Sequence, residues 1–207
     1  MIQGELLDER TSCQSLLVLG SGRSADVSQL VEVDSPSQTP LLAISFSPQA
    51  SPRPDYWEQH IGFRPADVVL ITTESGADQS ADDGSVSYVT APSALTGIGM
   101  QATEQLASWD DESDLRPLVV VDSLTILLQY VSVKSLYRFL HALTVRLDAS
   151  NARGVFYLDP MTQDDQTVYT FASLFDAIAE PDDSDDSDDS DERTNGHASS
   201  AWSVRTR

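Results

Sequence analysis

Two places in the sequence carry residues whose types and spacing could handle phosphate. The first is Gly20-Ser21-Gly22-Arg23-Ser24, which follows an apolar run at 15–19 and precedes a weakly helical stretch at 25–31. Backbone N–H groups of a glycine turn, together with a helix start, make an anion site. A complete phosphate loop reads G-x-x-x-x-G-K-[ST], with the lysine reaching the terminal phosphates. Here Gly20 and Gly22 stand one residue apart, Arg23-Ser24 only echoes a Lys-Ser pair, and the single lysine, Lys134, belongs to another element. No ammonium group is left for the site, which removes much of the charge stabilisation that phosphoryl transfer relies on. With Ala25 the same residues fit the dinucleotide pattern G-x-G-x-x-A. That pattern wants an acid about 20 residues on, at the end of the next strand, to hold the ribose hydroxyls. Ile44-Ser45-Phe46-Ser47 offers none. A tight turn bringing helix and sheet together explains the two glycines equally well.

The second place is Asp122, an acid at the end of the apolar run 118–121. Such an acid can help hold Mg²⁺, or it can cap the following turn together with Ser123. Asp159, Asp164 and Asp165 add an acidic cluster after the next strand; helix capping explains at least one of them, and a metal site has no histidine nearby in sequence to support it. His60, His141 and His197 share no ligand spacing with one another or with Cys13, which speaks against zinc. The chain holds no G-x-S-x-G nucleophile elbow. Trp57 and Trp109 lack basic surroundings and suit packing better than base stacking.

The elements that would position these residues centre on 116–160. Leu118-Val119-Val120-Val121 is apolar at every position, as a strand covered on both faces is. Ser132 can cap a helix whose Val133, Leu136, Tyr137, Leu140, Leu143 and Leu147 fall at steps of three and four, with Arg138, His141 and Arg146 on the solvated side. Gly154 closes a turn, and 155–158 forms the next strand, ending at Asp159. A right-handed crossover leaves Asp122 and Asp159 on one sheet edge, where open α/β sheets bind ligands.

Further strands are expected at 15–19, 40–46, 67–72 and 86–90, with helices near 56–60 and over 95–109. Asp164 or Asp165 caps a helix carrying Val168, Phe171, Ala172, Leu174, Phe175 and Ile178, which Pro181 stops. The run PDDSDDSDDSDE at 181–192 has no apolar residue and cannot repay its ordering entropy. Trp202 and Val204 alternate with polar neighbours, as in a half-buried edge strand. The expected organisation is one α/β domain over 1–180 with a mostly parallel central sheet and helices on both faces, an acidic disordered loop over 181–199, and a final edge strand of the same domain over 200–207.

The formal charge of -21 comes from 33 acids against 12 bases in 207 residues. Such a surface repels nucleic acid and anionic lipid. Acid-rich, lysine-poor surfaces resemble those of salt-loving archaeal cytoplasmic proteins. Lone Cys13 excludes an internal disulfide and fits a reducing compartment. The longest apolar region, 117–133, is interrupted by Asp122, Ser123, Thr125 and Gln129, so no membrane span is expected, and the acidic first ten residues do not read as a signal peptide. The expected location is the cytoplasm.

LLVLGSGRS and PLVVVDSLT, with the helices between them, resemble a RecA/KaiC-like P-loop domain. LTGIGMQATEQL, VVDSLTILLQY and FYLDPMTQDDQTVYTFASLFDAI are similar to a haloarchaeal family of unassigned function sometimes labelled HTR-like. The resemblance covers most of 12–206 and implies a three-layer RecA-like fold. It places a vestigial phosphate loop at Gly20, Ser21, Gly22, Arg23 and Ser24 and a Walker B-like acid at Asp122. The KaiC-like glutamate after the second strand has no counterpart, because Phe46 is followed by Ser47 and Pro48. Loop, lysine and glutamate all depart from the active pattern. The implied protein is a catalytically inactive domain without a required cofactor, acting in signalling or regulation through a protein partner. Weak ATP or Mg²⁺ binding and side-by-side assembly of copies stay open. The alternative is a nucleotide-binding protein, either an ATPase with an atypical loop or a Rossmann-like dinucleotide binder.

Overall fold

A computed structural model of the chain describes residues 13–20, 27–33, 35–73, 85–110, 116–181 and 202–206. These residues build an eight-stranded sheet from β1 (Ser15–Leu19), β2 (Leu41–Ser45), β3 (Val68–Thr73), β4 (Val86–Val89), β5 (Leu118–Asp122), β6 (Arg153–Leu158), β7 (Ala177–Pro181) and β8 (Trp202–Thr206). The order across the sheet is β4-β3-β2-β5-β6-β1-β7-β8. Each neighbouring pair is parallel except β7–β8.

The period-two alternation of side chains divides the core between the two faces. Leu17 and Leu19 of β1 enter one cluster, with Leu42, Ile44, Val119, Val121, Phe156 and Leu158. Leu16 and Val18 enter the other, with Leu41, Ala43, Val68, Leu70, Val120 and Val155. Strands buried on both faces in this way must be apolar at consecutive positions, which is why 118–121 carries no polar residue.

Six helices cover the sheet among the described residues: α1 (Val27–Leu30), α2 (Pro54–Ile61), α3 (Leu95–Asp110), α4 (Leu124–Leu127), α5 (Val133–Ala149) and α6 (Asp165–Ala172). α3, α4, α5 and α6 pack on the first face and α1 and α2 on the second, giving three layers. In α5, Leu136, Leu140, Leu143 and Leu147 are buried, and Ser132 accepts a hydrogen bond from the Ser135 amide as its cap. Each fully buried leucine contributes about 1.5–3 kcal/mol.

Three expectations change. First, the helix after Asp164 ends at Ala172, and 177–181 is strand β7. The apolar residues from Val168 to Ile178 do fit a helical period, but Ala177, Ile178 and Ala179 pair with β1, and Asp176 ties that strand's start to Ser15. Pro181 therefore ends a strand rather than stopping a helix. Second, Gly154 lies inside β6, and the turn before it is made by Asn151, whose φ of 49° is in the left-handed region. Gly154 is needed because a Cβ there would overlap the Leu147 methyl and stand 2.7 Å from Phe156 Cε2. Third, Arg146 is not on the solvated side: it is half-buried between α5 and α3, and its Nη2 donates to the Thr103 carbonyl at 3.5 Å. As the sequence allowed, Ser123 caps the turn after Asp122: short helix α4 follows directly, and the Ser123 hydroxyl accepts from the Ile126 amide. No helix among the described residues is long and apolar enough to cross a membrane. The acidic run from residue 182 lies outside the described residues.

Candidate functional site

The carboxyl edge of the sheet gathers the residues that could do chemistry. Gly20 follows β1 and Asp122 ends β5, with β6 between them. Two strand spacings put them roughly 10 Å apart. Ser21, Gly22, Arg23 and Ser24 lie outside the described residues. The Gly20 amide donates to the Leu158 carbonyl at 3.0 Å, so this first N–H continues the ladder instead of facing a ligand. The indole of Trp202, from β8, lies over the same residue: a Cβ built on Gly20 would be 3.3 Å from Trp202 Cη2. Lys134 is exposed in the first turn of α5, which packs on the opposite face of the sheet from Trp202.

Asp122 belongs to a polar row. The register sets it beside Ser45 of β2, and Thr72 of β3 follows the Ile44–Ile71 pair on Ser45's other side. Alternation turns all three toward the face that carries α1 and α2. Ser45 and Thr72 are fully buried. The Ser45 hydroxyl donates to Asp122 Oδ2 at 3.4 Å, and the Ser47 amide donates to Ser45 Oγ at 3.4 Å. Ser45, the last residue of β2, is thus bonded to the strand-end acid, and Phe46 beside it packs into the core of the other face. The Thr72 hydroxyl has no hydrogen-bond partner. The Asp122–Ser123 peptide is cis.

The acidic cluster serves capping. Asp159 Oδ1 accepts from the Met161 amide at 2.9 Å, and the Asp159 amide donates to Thr125 Oγ1 at 2.9 Å. Asp164 Oδ1 accepts from the Thr167 amide at 2.7 Å as the cap of α6, and this bond and one to the Thr167 side chain hold its carboxyl below the usual range. Asp165 is exposed in the first turn of α6. Among the described residues no three histidine, cysteine or acidic side chains are grouped to hold a metal ion. His60 stacks on Tyr56 with ring centroids 4.1 Å apart, and His141 is exposed on α5; His197 lies outside the described residues. Trp57 is buried and donates from Nε1 to the Ser51 carbonyl at 2.7 Å, as a packing residue does.

One feature had no sequence signal. Next to Gly20, on the face that carries α6, an open groove of about 1020 Å³ runs between α6 and strands β7 and β8. Leu19, Val168, Ala172 and Ile178 give it an apolar floor. Met161 and Tyr169 stand on it, 89% and 79% exposed. Tyr169 occupies an outward position of α6, where an aromatic residue reads as an ordinary surface residue; only the gap left by β7 and β8 makes it part of a concave surface.

The crystal structure of an uncharacterized protein, PH0321, from Pyrococcus horikoshii, in complex with an unknown peptide, has a similar fold: TM-score 0.52 and 12% identity, covering 86% of this chain and 82% of that one. At this identity the likeness speaks for the fold alone. No curated protein matches the chain significantly. A family model does match it, over residues 13–181, which spans β1 through β7 and every helix described above. The chain therefore belongs to the family of unknown function DUF7504.

Proposed function

We propose that this chain is a catalytically inactive RecA-like domain that works through contacts with a protein partner, in regulation or signalling in the cytoplasm of a salt-adapted cell. The observation that carries this reading is the packing of Trp202 on Gly20. A phosphate loop needs open space over its first turn so that backbone N–H groups can face the ligand. Here an indole lies against Gly20, the Gly20 amide is spent on the ladder, and the single lysine of the chain lies on the other face. Asp122 accepts from the Ser45 hydroxyl, and the glutamate that would accompany it in an active KaiC-like centre has no counterpart after Phe46. Contacts are the activity that such a body retains. The Pyrococcus protein of similar fold is in complex with an unknown peptide, which is in keeping with a binding role.

The test is equilibrium binding of labelled ATP, ADP and NAD in molar KCl, followed by a phosphate-release assay. The expected result is no saturable micromolar binding and no turnover. Mg²⁺-dependent turnover that Asp122→Ala abolishes would establish the alternative, a nucleotide-binding enzyme with an unorthodox loop.

A further inference from the structure

From the groove between α6 and β7–β8 we infer a docking site for a cationic, apolar segment of a partner protein. This rests on the contact role proposed above and names the partner's chemistry. The groove is at the upper end of small-molecule pocket sizes and is open to solvent, so it has room for several side chains of a partner segment. Its floor is apolar, and the exposed Met161 and Tyr169 supply a flexible thioether and an amphipathic ring, both suited to gripping apolar side chains.

Charge selects the partner. The described lining residues include four acids, Asp159, Asp165, Asp176 and Glu180, against one base, Arg205. Arg205 is paired with Glu180, Nη2 to Oε2 2.6 Å, which leaves Asp159, Asp165 and Asp176 as the unbalanced acids of the lining. Asp176 accepts from Ser15 and Gln14, and Asp159 Oδ1 accepts from the Met161 amide, so the position of each carboxylate is fixed. Fixed carboxylates beside an apolar floor favour lysine or arginine interleaved with leucine or phenylalanine, and repel acidic segments. The chain's own run at 182–192 has the same sign as the groove and is disfavoured as its occupant.

The experiment uses the full chain at the lowest KCl concentration that preserves its far-UV circular dichroism. Fluorescence anisotropy follows three dye-labelled peptides of equal length: cationic-apolar KLKFKL, acidic-apolar ELEFEL and cationic-polar KSKSKS. KLKFKL is expected to bind saturably at one site and the other two at least about tenfold more weakly. The double substitution Met161→Ala with Tyr169→Ala is expected to weaken KLKFKL by about tenfold or more, and Val145→Ala, at an exposed position outside the groove, to leave it unchanged. Equal binding of ELEFEL or KSKSKS, indifference to the double substitution, or no binding overturns the inference. So does a self-association that the double substitution abolishes, because the groove would then hold a second copy. Failure here together with absent ATP turnover leaves the inactive-domain proposal standing, whereas ATP turnover removes that proposal whatever the peptides do.

Discussion

Trp202 and Gly20 are neighbours in space although most of the chain separates them, and the indole stands 3.3 Å from the point where a Cβ on Gly20 would lie. Gly20 does not need glycine for its backbone angle, since Gly62 is the glycine with positive φ among the described residues. Space is therefore what the glycine provides. Gly20→Ala should lower stability by about 1 kcal/mol through overpacking, and the loss should vanish in a Trp202→Ala background. A double-mutant cycle from denaturant melts measures this; additive effects would mean that the two residues do not touch.

Gly154→Ala should cost more. Leu147 and Phe156, which the new methyl would meet, are both buried and have little room to move. The expected loss is about 1–3 kcal/mol. Shortening Leu147 to alanine creates a cavity of its own but makes room for the methyl, so Gly154→Ala should cost less in that background. Thermal melts of the two single variants and the double variant show whether it does.

Most of the architecture could be read from the chain because the relevant signals are local. Four apolar residues in a row before Asp122, and leucines at steps of three and four after Ser132, define β5 and α5 without reference to the rest. The alternation of Trp202 and Val204 likewise gives their shared face. The failure at 173–181 has the opposite origin. Leu174, Phe175 and Ile178 satisfy a helical period, and what overrides it is pairing with β1 from the far end of the chain, which no local pattern encodes. The site follows the same division. Gly20 and Asp122 were recognisable by type and position. The Ser45–Asp122 hydrogen bond and the groove arise from register and from a gap between elements, so residue types alone could not reveal them.

Cys13 should be a slow thiol. Burial, and then the Asp176 carboxylate, push its pKa up from 9.0 to about 11, against smaller opposing effects of the Ser15 backbone and Arg153. Alkylation by iodoacetamide near neutral pH should be at least about tenfold slower than in the unfolded chain. Asp176→Asn should speed it, while the amide oxygen still accepts from Ser15. Because the folded state keeps a proton that the unfolded state sheds, this group's contribution to stability is present below pH 9.0 and is lost as pH rises toward about 11. Denaturant midpoints across that interval would show the decline, and Cys13→Ser would flatten it.

Asp164 should act in the opposite direction. Its carboxyl is held below the usual range by the Thr167 backbone and side-chain hydrogen bonds. The stabilisation it gives α6 is present above the ordinary carboxyl pKa and is lost as pH falls through the folded value. Asp164→Ala should lower the melting temperature near neutral pH, and the difference from the parent should shrink in acid. Asp164→Asn, which can still cap, should retain most of the parent's stability at neutral pH.

The family match stops at residue 181, and β8 begins at Trp202. Trp202, which packs on Gly20, is thus contributed by a strand beyond the matched residues. Losing that one short segment would therefore uncover Gly20 while leaving every parallel strand pair of the sheet in place.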